Sequence, residues 1–223
     1  MTAAVARRIN AGCINAGAVF FGYFLLLPKE SNMGDDIMRI ITGTARGLKL
    51  KTPNGFSTRP TADRVKESLF NILNGLTNFA EINAVLDIFA GTGALGLESM
   101  SRGAKSATFI DAATTQIIGE NVRRTKFTNC TILRGDFEKI LRRLGEQNFA
   151  FDLIFSDPPY ATNFAQKSLT LVAELNLLNV NGLIIVEHGA TETLNTPPNL
   201  QLVRQTIYGR TTSLEIFERT ASP

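Results

Sequence analysis

Short apolar runs alternate with longer amphipathic stretches through most of the chain after residue 80. Each run has the length of a β-strand, and three of them are apolar enough to be buried on both faces, as parallel strands are. The stretches between the runs are long enough for the helices that connect parallel strands. The pattern predicts an open, doubly wound, mostly parallel α/β sheet, with strands at 84–89, 107–111, 131–134, 151–156 and 182–187 and helices at 94–102, 113–126, 136–146 and 164–177.

The two ends of this pattern differ from its middle. Residues 39–51 alternate with period two around a turn, which predicts a short N-terminal β-hairpin. Apolar residues then recur at helical spacing as far as Leu76, with Thr61 as the expected N-cap. Residues 201–217 predict a C-terminal hairpin that adds an antiparallel strand to the edge of the sheet.

The first 37 residues do not follow the pattern. Arg7 and Arg8 precede an uncharged, largely apolar run at 11–27, an order that resembles a signal peptide or a short membrane anchor. No small-residue cleavage site follows the run, and the patterned sequence begins directly after Met38. We therefore favour a translation start at Met38 over a membrane anchor, and divide the chain into a leader at 1–37, a basic hairpin at 38–58 and one domain at 59–223.

Composition narrows the chemistry that the chain can perform. With 44% hydrophobic and 19% charged residues, the 223-residue chain can bury a core and is not disordered by composition. Its cysteines, Cys13 and Cys130, are far apart, and its one histidine is His188. These counts argue against a Cys/His zinc site, a histidine-based facial triad and a disulfide framework, and any Ser-His-Asp triad would have to use His188. We predict no metal.

Positive charge is concentrated near the start of the patterned region. The net charge is only +3, but residues 39–66 contain seven basic residues against one acid, Asp63. Such an excess can hold the phosphates of a nucleic acid, although an ordinary solvated face has the same composition. Charge alone leaves both interpretations open.

Three glycines bridge the first strand of the predicted sheet and the helix after it. Gly91, Gly93 and Gly96 follow Asp87 and let the backbone turn sharply, where a helix N-terminus offers free N–H groups to a ligand. Their spacing fits the pattern G-x-G-x-x-G, and Asp111 lies 20 residues beyond Gly91, where its carboxylate could accept hydrogen bonds from a ribose. The glycine pattern and Asp111 together indicate a nucleoside cofactor. Because both NAD and S-adenosylmethionine carry a ribose, these residues alone do not distinguish the two.

The loop Asp157-Pro158-Pro159-Tyr160 directly follows the apolar run at 151–156. Prolines lack the N–H donor, so the loop presents a carboxylate and carbonyls as acceptors beside an aromatic ring. Such acceptors suit the exocyclic amine of a nucleobase, which is a weak nucleophile because its lone pair is delocalised into the ring. Asp157 and the Pro158 carbonyl would orient this amine, while Tyr160 would stack on a base that has left its helix.

A weaker pattern follows the third predicted strand, at Gly135-Asp136-Phe137-Glu138. An acid and an apolar ring at that position could hold an adenine through its amino group and its face. Asp136 could equally be the N-cap of the next helix.

From Arg39 onward the chain resembles the bacterial 16S rRNA guanine-N2 methyltransferases of the RsmD family, which have the class I S-adenosylmethionine-dependent, Rossmann-like fold. The segments that carry the resemblance are 59–73 (RPTADRVKESLFNIL), 85–103, 157–160 (DPPY) and 208–211 (YGRT). The resemblance implies a seven-stranded sheet whose last two strands form the terminal hairpin. It also implies that the methionine end of the cofactor lies against Asp87, Ala90, Gly91, Thr92 and Gly93, the ribose against Asp111, and the adenine against Asp136 and Phe137.

The function implied by this resemblance is methyl transfer to the N2 amine of a guanine in 16S rRNA, within the small ribosomal subunit or an assembly intermediate. Asp157 would orient the amine for direct in-line transfer, and the RNA backbone would be held by Arg46, Lys49, Lys51, Arg59 and Arg64. We expect a cytoplasmic monomer. The alternatives are a DNA adenine-N6 or cytosine-N4 methyltransferase, an NAD(P)-dependent oxidoreductase and a non-enzymatic RNA-binding module.

Overall fold

The computed structural model describes residues 38–53, 60–160 and 162–221, without the side chains of 60–64. Helices and strands alternate along these residues as the hydrophobic pattern predicts. In chain order they are α1 (Pro60–Leu76), β1 (Val85–Ile88), α2 (Ala94–Arg102), β2 (Ala107–Asp111), α3 (Thr115–Thr125), β3 (Cys130–Arg134), α4 (Phe137–Glu146), β4 (Phe151–Ser156), α5 (Phe164–Glu174), β5 (Leu178–Gly189), β6 (Leu200–Tyr208) and β7 (Thr212–Arg219).

The seven strands form one sheet in the order β3-β2-β1-β4-β5-β7-β6. The first five are parallel, and β7 is antiparallel to both of its neighbours. The chain winds outward from β1 to β3 and then returns to place β4 on the other side of β1. This reversal makes the carboxyl ends of β1 and β4 the switch point where ligands bind in such sheets.

Two apolar layers cover the sheet because successive strand residues point to opposite faces. Val85 packs in one layer with α1 and α2, through residues such as Leu69 and Leu97. Leu86, its neighbour in β1, packs in the other layer with α4 and α5, through residues such as Leu141. The doubly wound α/β fold predicted from the sequence is confirmed.

Two local predictions are corrected by the structure. Helix α1 begins at Pro60, so Thr61 lies in its first turn and not at the N-cap. Proline suits the first helical position because the N–H that it lacks has no intrahelical partner there. Strand β5 begins at Leu178, four residues before the apolar run at 182–187.

The N-terminal hairpin is shorter than its alternating pattern predicts. Its two arms meet at one antiparallel bridge, between Arg39 and Lys49. The backbone N–H groups of Ile41 and Thr42 donate to the carboxylate of Glu98 in α2 and not to a partner strand. The segment is therefore a short hairpin that is held to the domain by these hydrogen bonds to α2.

No helix among the described residues is long and apolar enough to cross a membrane. The leader at 1–37 lies outside the described residues.

Candidate active site

The glycine loop and the Asp157–Tyr160 loop leave the sheet side by side. Ile88, the last residue of β1, pairs with Ser156, the last residue of β4. Phe89 and Asp157 therefore emerge from adjacent strands at the same edge. The two strongest patterns of the sequence meet there, at the switch point.

The glycine loop is held by the strand that precedes it. The N–H of Gly96 donates to Oδ2 of the buried Asp87 at 3.0 Å, which ties the first turn of α2 to β1. Gly91 and Gly93 have φ angles of 58° and 79°, in the left-handed region that glycine adopts without strain. A Cβ on Gly96 would lie 2.4 Å from Cε1 of Phe109, so α2 can approach β2 only because residue 96 has no side chain.

Asp111 lies at the end of β2 and joins the glycine loop to α3. Its Oδ2 accepts from the N–H of Gly91 at 3.0 Å. Its Oδ1 accepts from the N–H groups of Ala113 and Thr114 at 2.7 and 2.8 Å. The carboxylate thus stabilises the loop that the sequence assigns to a cofactor, and its contact with a ribose stays a prediction.

Asp136 and Phe137 have different roles at the end of β3. Exposed Asp136 is the N-cap of α4, since its Oδ1 accepts from the N–H of Lys139 at 3.1 Å. The buried ring of Phe137 packs against those of Phe89 and Phe164, with centroids 4.7 and 5.1 Å away. The N-cap alternative is therefore realised, and the adenine contacts stay a prediction.

Phe89 was missed by the sequence analysis. Its φ of 63° places it in the left-handed region, which a bulky side chain rarely adopts, and its ring lies parallel to that of Phe164 at 5.9 Å. Backbone strain of this kind is concentrated at functional sites. In the sequence, the only sign that Phe89 has a special position was that an aromatic residue stands at the very start of the glycine loop.

The Asp157–Tyr160 loop is largely buried. Asp157, Pro158 and Pro159 are buried, and Tyr160 is half-buried. The hydroxyl of Tyr160 donates to Oε1 of Glu187 at 2.7 Å and lies 2.6 Å from Oγ1 of Thr212. Glu187 was not predicted from the sequence, where its only indication was an acid at the end of an apolar run.

Buried carboxyl groups cluster under these loops. Burial raises the pKa of Asp87, and the charges of Asp157 and Asp111 raise it further, against the Gly96 hydrogen bond that lowers it. Burial and the charge of Asp157 likewise raise the pKa of Glu187. Burial and the nearby Glu187 charge raise the pKa of the Tyr160 hydroxyl. Each of these shifts has the same origin, since burial and neighbouring negative charge disfavour the ionised form of the group.

Glu98 anchors the hairpin to the domain. Besides Ile41 and Thr42, at 2.7 and 3.0 Å, this fully buried carboxylate contacts Nε of Arg102 at 2.8 Å and Nζ of Lys66 at 3.8 Å. Lys66 is itself only 1% exposed and donates to the carbonyl of Arg39. Lys66 therefore cannot contribute to a phosphate-binding surface, although the sequence analysis counted it in the basic excess.

The predicted RNA-binding residues fall into two groups. Arg46, Lys49 and Lys51 are exposed on the hairpin, but Nζ of Lys51 lies 2.6 Å from Oε2 of Glu120. This ion pair lowers the pKa of Glu120. Arg59 and the side chain of Arg64 lie outside the described residues.

Within the part of the chain that the structure describes, no three His, Cys, Asp or Glu side chains are grouped so as to hold a metal ion.

The chain matches known proteins along most of its length. The family model described as Conserved hypothetical protein 95 matches residues 38–217. Ribosomal RNA small subunit methyltransferase D of Haemophilus influenzae is 37% identical over 176 residues, which cover 77% of this chain and 89% of that protein. The protein of the same name from Escherichia coli (strain K12) is 34% identical over 198 residues, which cover 87% and 96%.

A solved structure agrees with these matches. The structure of the yhhF methyltransferase of Escherichia coli superimposes on this one with a TM-score of 0.72 and is 34% identical in sequence. The match covers 83% of this chain and 99% of the yhhF chain. The methyltransferase relatives confirm the expected S-adenosylmethionine over the NAD alternative. The chain belongs to the Conserved hypothetical protein 95 family, that of the RsmD-like, S-adenosylmethionine-dependent methyltransferases.

Proposed function

We propose that this protein transfers a methyl group from S-adenosylmethionine to the exocyclic N2 of a guanine in 16S rRNA of the small ribosomal subunit. The observation that carries the proposal is the pairing of Ile88 with Ser156, which brings the glycine loop and the Asp157–Tyr160 loop to one edge. The relatives named ribosomal RNA small subunit methyltransferase D support the class of substrate.

The residues at the ends of the first three strands fit the cofactor. S-adenosylmethionine carries three groups of hydrogen-bond donors, which are an ammonium, a ribose diol and an adenine amine. Asp87, Asp111 and Asp136 follow one another at or near the carboxyl ends of β1, β2 and β3 and supply acceptors in that order. We assign them to these three groups, with the backbone of Ala90, Gly91, Thr92 and Gly93 beside the methionine end.

Catalysis in this proposal consists mainly of positioning. When bound, S-adenosylmethionine supplies an electrophilic methyl group on its sulfonium. Asp157 and the Pro158 carbonyl accept hydrogen bonds from the guanine amine, and Tyr160 supports the flipped base. With the cofactor bound, the amine would lose its proton to Asp157 as the N–C bond forms and the bond between the methyl group and sulfur breaks, which leaves a neutral thioether. A neutral aromatic amine is too weak an acid to ionise before that step.

Exposed Arg46 and Lys49 support the assignment of RNA binding to the hairpin, with Arg59 and Arg64 as further proposed contacts. We place the enzyme in the cytoplasm as a monomer, where its substrate is assembled. Sedimentation of the purified protein tests the monomer.

Labelled S-adenosylmethionine tests the substrate. The protein is incubated with naked 16S rRNA, with small ribosomal subunits lacking the modification, and with duplex DNA. We expect label in RNA, recovered as N2-methylguanosine after nuclease digestion. Label in DNA, or in a different methylated nucleoside, would overturn the proposal and favour an adenine or cytosine amino-methyltransferase.

A further inference from the structure

Glu187 lies beside Asp157, near the carboxyl end of the neighbouring strand β5. Val186 pairs with Ser156, so the residues that follow, Glu187 and Asp157, occupy neighbouring positions on β5 and β4. Each is two residues beyond a side chain of the α1 layer, Ile185 and Phe155 respectively. Both carboxyl groups therefore point to the same face of the sheet.

The contacts of Glu187 connect it to the proposed catalytic loop. Its Oε1 accepts from the hydroxyl of Tyr160 at 2.7 Å, and the same hydroxyl lies 2.6 Å from Oγ1 of Thr212 in β7. The end of the Asp157–Tyr160 loop is thus attached to two further strands of the sheet. Removing either hydrogen-bonding side chain takes away one of these two attachments of the Tyr160 ring.

The surroundings of Glu187 favour a neutral carboxyl group. Glu187 is 2% exposed, and its Oε2 has no hydrogen-bond partner among the described residues. A small cavity of about 10 Å³ lies between Asp157 and Glu187. Its other lining residues include the apolar side chains of Leu69, Leu95 and Leu214. A carboxylate left unsatisfied in an apolar setting costs far more free energy than a neutral acid. Burial and the charge of Asp157 raise the pKa of Glu187, in agreement with this geometry.

We propose that Glu187 is a positioning residue for methyl transfer, which in its protonated form holds the Tyr160 ring in place and leaves Asp157 as the one anion of the pair. This inference rests on the proposed function, because it assigns Tyr160 and Asp157 to the guanine. An ionised Glu187 would repel the charge on Asp157. A neutral Glu187 accepts the Tyr160 hydrogen bond through its carbonyl oxygen and adds no negative charge beside Asp157.

Two variants of Glu187 separate the role of its shape from that of its charge. Glu187→Gln is neutral at every pH and keeps a carbonyl acceptor for Tyr160, so we expect kcat to stay within about 3-fold of the wild type. Glu187→Ala removes the acceptor, so we expect kcat to fall at least 10-fold while KM for S-adenosylmethionine changes less than 2-fold. Tyr160→Phe loses both hydrogen bonds of the hydroxyl and should be at least as slow as Glu187→Ala, and the double variant should be no slower than Tyr160→Phe, because the Glu187 contact is already lost there.

Glu215→Gln is the matched control. Glu215 is also a buried glutamate of the sheet, but it pairs with Val186 and so lies on the opposite face. Its substitution should leave kcat unchanged. All variants are compared by thermal unfolding, and if Glu187→Ala does not fold, Tyr160→Phe and Glu187→Gln carry the comparison.

The outcomes distinguish this inference from the proposed function. A Glu187→Gln variant as slow as Tyr160→Phe would show that an ionised carboxylate is required, and would overturn the inference. Wild-type kcat in Glu187→Ala or in Tyr160→Phe would also overturn it. Failure of the wild type to methylate any RNA would instead overturn the proposed function.

Discussion

The side-chain amide of Asn121 donates to the carbonyl of Thr92 at 2.9 Å and joins α3 to the glycine loop. The same amide group bonds the backbone of Lys51 in both directions, accepting from its N–H at 2.7 Å and donating to its carbonyl at 3.0 Å. One fully buried side chain therefore contacts both the loop assigned to the cofactor and the hairpin assigned to RNA.

Asn121→Ala should destabilise the fold and weaken both binding functions. It leaves three backbone groups without their partner, at about 1–3 kcal/mol for each group that stays buried, so we expect a loss of about 3 kcal/mol in the free energy of unfolding. Urea denaturation measures this loss. Asn129→Ala is the control, since Asn129 is an exposed residue whose amide donates to the carbonyl of Lys105 at 3.2 Å and accepts from Thr128 at 3.5 Å. Equal losses in the two variants would contradict the role given to Asn121.

Gly43 should tolerate a side chain less well than Gly47 in the same hairpin. Both have positive φ angles, of 87° and 80°, so Gly→Ala costs each of them similar backbone strain. A Cβ on Gly43 would lie 1.7 Å from the carbonyl oxygen of Ser101, but nothing lies within 4 Å of one on Gly47. We expect Gly43→Ala to lower the free energy of unfolding by about 2 kcal/mol more than Gly47→Ala does. Equal effects would mean that the hairpin docks elsewhere in solution.

Asp157→Ala should abolish methyl transfer while S-adenosylmethionine affinity stays within a few-fold of the wild type. The carboxylate is assigned to the guanine amine, and the acids assigned to the cofactor are Asp87, Asp111 and Asp136. Isothermal titration with S-adenosylmethionine and a single-turnover methylation assay measure the two effects. Loss of cofactor binding in a folded variant would show that the Asp157–Tyr160 loop binds the cofactor.

Lys49→Glu should weaken RNA binding more than Lys51→Glu. Lys49 is exposed, whereas Lys51 is paired with Glu120. For each RNA phosphate that the variant no longer neutralises, the slope of log Kd against log salt concentration should fall by about 1. Lys105→Glu changes the net charge equally, but Lys105 lies outside the hairpin, in the segment before β2, so its slope should match the wild type. A salt-independent loss of affinity in Lys49→Glu would indicate damage to the fold.

The free energy of unfolding of Asp87→Asn, compared with that of the wild type, should increase as pH rises. The folded-state pKa of Asp87 is raised above its ordinary value of 3.8, so ionising it costs the folded state more than the unfolded state. The wild type therefore loses stability as pH rises from about 4 through this raised pKa. Asparagine keeps a carbonyl oxygen that can accept from the N–H of Gly96, and it cannot ionise. Chemical denaturation across this pH range measures the difference, and parallel curves for the two proteins would contradict the prediction.

Much of the fold was predictable because its indications are local. Parallel strands buried on both faces need apolar runs, and the connecting helices need amphipathic ones, so both kinds of element are visible within a few residues of sequence. The glycines at 91, 93 and 96 and the prolines at 158 and 159 marked the two loops for the same reason. The topology of a doubly wound sheet then predicted that loops after adjacent strands would meet.

The tertiary structure alone decided which side chains are partners across the sheet. Tyr160 and Glu187 are 27 residues apart, and Ile41 and Glu98 are 57 apart. Their contacts depend on strand register and on how the helices and the hairpin dock, none of which is encoded in a local pattern. For the same reason the burial of Lys66 and the orientation of Phe89 could not be predicted, since charge and hydropathy describe a residue without its neighbours. The sequence by itself determined the order of the elements and the chemical character of the loops, while long-range packing determined how those loops are supported.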